Sequence, residues 1–207
     1  MLKTRELRQP SNRWEKLGAL ASAVTAFSTF LLVVAGVGAL FFANRQIQES
    51  REQAKIQHLD ELVQRFDQPP MVDFRRMLAV KRLDAKHEKL LPLDPDDAPY
   101  EMSDVLGFFE DMSLLEKRGY LDKYDVWFEF SNSMFPLYAD ARPYIESQQK
   151  DDKEAYAGFS EMMKEMTQID IERDGGVSIH PSQADIREFY VGEAEDQPGA
   201  LPTRLRK

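Results

Sequence analysis

The chain has 207 residues, 43% of them hydrophobic and 30% charged, no cysteine, and a formal net charge of −9. Length and composition fit a folded chain of one domain, with or without an appendage. The missing cysteine excludes a disulfide framework, a thiolate nucleophile and Cys-ligated zinc or iron–sulfur sites.

Charge is distributed unevenly. Residues 1–16 form a basic flank, with Lys3, Arg5, Arg8, Arg13 and Lys16 against Glu6 and Glu15, a balance of +3. Residues 17–43 carry no charge, so residues 44–207 carry −12. An acidic body of this kind does not suit nucleic acid, whose phosphates call for a basic face.

Leu17 to Ala43 contains no charge, Asn, Gln or Pro. As a helix its 27 residues would extend about 40 Å, enough to cross a hydrocarbon core of about 30 Å. A secretory signal peptide is the main competitor after a basic start, but its apolar region is shorter, about 7–15 residues. The segment is therefore read as one uncleaved transmembrane helix, with Trp14 as an interfacial anchor. The flanking Lys/Arg count, slightly higher before the segment than after it, places the N-terminus in the cytoplasm. Gly18, Ser22 and Ala26 recur every four residues and make a candidate packing face for a second anchor.

Residues 44–66 lack Pro and Gly and extend the helix as a stalk, solvated early and apolar near Leu59, Leu62, Val63 and Phe66. Residues 67–173 are expected to form an all-α bundle of four or five helices. Pro69-Pro70 ends the stalk, and Pro70 opens a helix to about Leu83. Residues 84–99 read as a loop. A helix from about Pro99 to Lys117 carries Met102, Val105, Leu106, Phe109 and Met112 on one stripe, and Gly119 stops it. Asp122 caps the next helix, apolar nearly all round and therefore expected in the middle of the bundle, with Pro136 kinking or ending it. A last helix, about Asp151 to Glu172, buries Met162, Met163 and Met166 as core. Residues 174–207 read as a mostly disordered tail.

No catalytic, metal or cofactor motif emerges. His58, His87 and His180 have no partner at ligand spacing, and no glycine-rich phosphate loop is present. Glu110 borders the apolar stripe behind Phe108 and Phe109. A carboxylate there needs a partner, and Arg75 or Arg76 is available for an interior ion pair; a solvated boundary position is the competing reading.

Val105-Leu106-Gly107-Phe108-Phe109-Glu110, then Leu115, then Arg118-Gly119-Tyr120-Leu121-Asp122, resembles the signature of an uncharacterised bacterial family. Its members carry one membrane helix, a Gln/Arg-rich exit helix (here Gln46, Gln48, Arg51) and a small helical domain. The resemblance spans roughly residues 20–165, and it implies no activity and no catalytic residue. The expected function is that of a non-enzymatic, single-pass protein of the bacterial inner membrane, with the lipid bilayer and another protein, or itself, as partners. Two alternatives are a membrane-perturbing stress or phage-defence effector assembling through its anchor, and an enzyme using Glu110, Asp104 and Arg118.

Overall fold

The computed structural model describes residues 13–173 and 180–195. Six α-helices follow one another: α1 Arg13–Phe66, α2 Met71–Arg82, α3 Tyr100–Lys117, α4 Lys123–Asp151, α5 Ala157–Arg173 and α6 Gln183–Ala194. The fold is all-α; among the described residues the sole β pairing is an isolated bridge between Leu83 and Leu90. Two compact units divide at Glu52/Gln53.

In the first unit residues 17–43 of α1 carry no charge, Asn or Gln, and such residues follow from Asn44 on. Leu20, Phe27, Leu32, Leu40, Phe41 and Phe42 are between 63% and 73% exposed. Thr25 and Thr29 return their hydroxyls to the carbonyls of Ala21 and Thr25 at 2.9 and 2.8 Å, so these polar groups are satisfied within the helix. This is the one described helix long and apolar enough to cross a membrane.

The second unit is a bundle of α2–α6 closed by the end of α1, whose Leu62 and Phe66 are buried. Helix α3 packs between α2 and α5 and buries one face: Met102, Val105, Leu106, Phe108, Phe109 and Met112 are essentially inaccessible. Phe66, Phe108, Phe109 and Phe130 form an aromatic cluster with ring centroids 5.2–6.3 Å apart, and Phe159 stacks on Phe109 at 5.1 Å. The three methionines of α5 lie in the same core.

Local chemistry sets the helix ends. Helix α3 closes with Gly119 at φ +77, where the amides of Gly119 and Tyr120 donate to the carbonyls of Glu116 and Leu115. Asp122 accepts from the Tyr124 amide and caps α4.

Three expectations are corrected. Of the two outcomes expected at Pro136, a kink or an end, the end does not occur: α4 runs through Pro136 and Pro143 to Asp151. The buried face formed by Val126, Phe130 and Met134 continues on Leu137, Ala141 and Ile145, and this tertiary packing outweighs the backbone hydrogen bonds that the prolines remove. Nor is α4 enclosed, since Tyr124 and Phe128 are 49% and 67% exposed. Residues 183–194, assigned to a disordered tail, form α6 with Ile186, Phe189 and Tyr190 buried. Ser182 and Asp185 make a reciprocal capping box that starts it. The remaining tail positions, 174–179 and 196–207, lie outside the described residues.

Asp122→Ala removes the cap of α4 and is expected to cost about 1 kcal/mol, read as a lower denaturation midpoint with an unchanged denaturant slope.

Candidate functional site

Charged groups in the bundle concentrate at the helix junctions. Glu110, on α3, sends its carboxylate to the start of α5. The Gly158 amide donates to Oε1 at 3.0 Å and the Phe159 amide to Oε2 at 2.7 Å. Helix α5 has no acidic residue in its first turn, so a carboxylate from another helix supplies the missing cap. The amides on either side, those of Ala157 and Ser160, donate to the carbonyls of Glu154 and Tyr156. Gly158 permits the approach, since a Cβ there would meet Ser113 Oγ and lie 2.8 Å from Glu110 Oε1. Tyr156, at φ +53, turns the chain into α5 and shares a 3.0 Å hydrogen bond with Ser103; burial pushes its phenol up to about 12.

The expected pairing of Glu110 with Arg75 or Arg76 is therefore corrected: both Glu110 oxygens are taken by backbone amides. Arg75 is buried, with its guanidinium 3.7 Å over the Phe66 ring, its Nε 3.1 Å from Glu193 and its Nη1 3.8 Å from Asp67. Burial draws its pKa below the ordinary value despite the two carboxylates. Arg76 is half-buried on the same helix.

The most complete network involves residues that carried no sequence expectation. Arg82 of α2 donates Nε and Nη2 to the two oxygens of Asp140 on α4, at 2.8 and 2.7 Å, and the Tyr190 hydroxyl of α6 donates to Asp140 Oδ2 at 2.8 Å. Both charged side chains are 4% exposed. Burial lowers the pKa of Arg82, but the forked bonds to Asp140 outweigh it and hold the guanidinium above its ordinary value. Burial, reinforced by Asp140, keeps the Tyr190 phenol well above its own. Nearby, Lys81 binds both oxygens of buried Glu101 at 2.7 and 2.8 Å. Burial raises the Glu101 pKa, and the ammonium more than reverses that.

A groove of about 520 Å³ between α3 and α5 is bordered by Glu110, Glu116, Lys117, Glu154, Glu161 and Glu165. Burial and the neighbouring Glu165 push the Glu116 carboxyl up. Asp104 and Arg118 are not on this groove. They lie 14 positions apart on α3 and its cap, about 21 Å along the axis, so Asp104, Glu110 and Arg118 do not converge on one reacting centre. No group of three or more His, Cys, Asp or Glu suited to a metal occurs among the described residues. His58 is half-exposed and edge-on to Tyr120, His87 turns the loop at φ +57, and His180 borders a second groove with Arg142 and Lys164. Gly18 and Ser22 are exposed on α1; the side chain of Ala26 lies outside the described residues.

A model of one protein family, described as a domain of unknown function, matches residues 7–166. The chain belongs to the DUF4760 family. No curated protein and no solved structure matches it. The DUF4760 region takes in α1 to α4 and the first part of α5, including Glu110, Gly158, Arg82 and Asp140. Helix α6, with Tyr190 and Glu193, lies outside it.

Two of these contacts generate predictions. Glu110→Ala removes two charge-assisted bonds and the cap of α5, and should cost about 2–4 kcal/mol in denaturant unfolding, with Glu110→Gln between it and the unmodified chain. Adjacent Asp111, exposed and 3.6 Å from Arg65, should tolerate alanine within about 0.5 kcal/mol. Gly158→Ala should cost about 1–3 kcal/mol through the crowding at Ser113 and Glu110. Because Glu101 has a depressed folded pKa, its pairing stabilises the chain above the ordinary carboxyl value of 4.5 and is lost as pH falls through the folded value. The stability gap between the unmodified chain and Glu101→Gln should therefore be constant at neutral pH and shrink on acidification below about 4.5.

Proposed function

We propose that the chain is a single-pass membrane protein that holds an acidic helical domain at the membrane surface and works by binding another protein or itself, without catalysis. The observation that carries this reading is the charge-free stretch of α1, exposed all round. An apolar surface of that extent is unfavourable in water and suited to a bilayer, and the back-bonded hydroxyls of Thr25 and Thr29 reduce the polar cost in lipid. Small residues at Gly18 and Ser22, with open space around a Cβ at Gly18, leave room for a second anchor helix. The buried Arg82–Asp140 pair and the Glu110 carboxylate tie helices to one another, and the acidity of the bundle disfavours nucleic acid. The flanking charges favour a cytoplasmic N-terminus in a bacterial inner membrane and an exported bundle.

Deleting residues 17–43 should move the rest of the chain, still helical by circular dichroism, from the membrane pellet to the soluble fraction; persistent pelleting with membranes would defeat a single anchor. The chain has no cysteine, so Ser50→Cys introduces one thiol. It should react with an impermeant maleimide in intact cells with a permeabilised outer membrane, and labelling that needs lysis would place the bundle in the cytoplasm.

A further inference from the structure

Helix α6 fills a groove built by α2 and α4. Its inward residues, Ile186, Phe189, Tyr190 and Glu193, follow i, i+3, i+4, i+7 spacing, and two of them are polar. Tyr190 meets the Arg82–Asp140 fork and Glu193 meets Arg75, so the groove reads a phenol and a carboxylate as well as apolar bulk. Arg82 is already paired with Asp140 of the groove wall, so Arg75 is the buried cation that an occupant's carboxylate meets.

The two halves of this seat are unequally satisfied. At Arg82 the bonds are short and bidentate. At Arg75 the Nε is close to Glu193, yet none of its nitrogens has a well-directed protein hydrogen bond among the described residues. A cavity of about 10 Å³, room for about one water, lies at the same junction between Phe66, Arg75, Leu78, Phe189, Tyr190 and Glu193. A guanidinium is best served by a carboxylate in forked geometry, and α6 does not supply one there. The walls of the groove, moreover, fall within the DUF4760 match, whereas its occupant does not.

We propose that the α2–α4 groove is a docking seat for an acidic amphipathic helix of a partner protein, and that α6 is an internal stand-in that closes it until that helix displaces it. The proposal rests on the protein-binding reading above and names the surface and the partner's chemistry. A competing helix needs a tyrosine and, three positions later, a carboxylate that reaches Arg75 in forked geometry. Release of α6 would then be a local opening, separate from unfolding of α3 and α5.

Hydrogen exchange on the full chain in detergent micelles tests the device. In the unmodified chain, α6 amides should exchange at least about tenfold faster than those of α3 and α5. Glu193→Gln should accelerate α6 by about 10- to 100-fold and leave α3 and α5 within about threefold. A labelled synthetic peptide of residues 182–195 should then bind the full-length Glu193→Gln chain saturably, and the same peptide with Tyr190→Phe and Glu193→Gln should not. Exchange of α6 in step with α3 and α5, in either chain, would make α6 a permanent part of the core and overturn the proposal. So would an opened chain that binds both peptides equally or neither. These measurements involve no natural partner, so their failure leaves the broader binding reading standing. Failure of that reading would appear separately, as the absence of any cross-linked protein in cells.

Discussion

The bundle depends on the buried fork between Arg82 and Asp140. Two opposite charges at 4% exposure incur a large desolvation cost, which is offset only when the geometry is near ideal and the remaining lone pairs are filled. Here both conditions hold, since the guanidinium spans both carboxylate oxygens and the Tyr190 hydroxyl takes the free position on Oδ2. The consequence is positional. Helices α2 and α4 must meet at one point, where a tyrosine hydroxyl completes the fork, and Asp140 must lie four residues beyond Pro136 on a continuous helix. Apolar packing tolerates sliding of one helix on another; a three-way polar junction does not.

Carboxylates in this protein do two different jobs. Asp140 and Glu101 are held by cations, whereas Glu110 is held by the positive end of α5. The second arrangement needs no basic residue, only a helix start brought close by Gly158. It joins α3 to α5 as the fork joins α2 to α4.

Much of this architecture was legible in the sequence, and the failures have physical causes. The uncharged stretch, the stripe on α3, the stop at Gly119 and the cap at Asp122 are local signals, decided within a turn or two of helix. Glu110 could be recognised as a carboxylate in need of a partner, because its place at the edge of an apolar stripe is also local. Its partner could not, because backbone amides leave no mark in composition, and α5 advertised its missing cap only by having no acid in its first turn. Helix α6 was hidden by its short length and by the Gly, Pro and acidic residues around it. Ser182 followed by Asp185, then Ile186, Phe189 and Tyr190 at helical spacing, was the available signal. Arg82 and Asp140, 58 residues apart, looked like ordinary surface charges, since pairing across that distance appears only once the fold exists.

The fork and the Glu110 cap each tie two helices of the bundle together through charge-assisted bonds. The decisive measurement is denaturant unfolding of the full chain in detergent, for Arg82→Met alone and for Arg82→Met combined with Asp140→Leu and Tyr190→Phe. Removing the arginine alone strands a buried carboxylate and should cost about 3–5 kcal/mol, while the triple variant, with no charge left to strand, should recover most of that loss. A single variant within about 1 kcal/mol of the unmodified chain would show that the fork does not hold the bundle together.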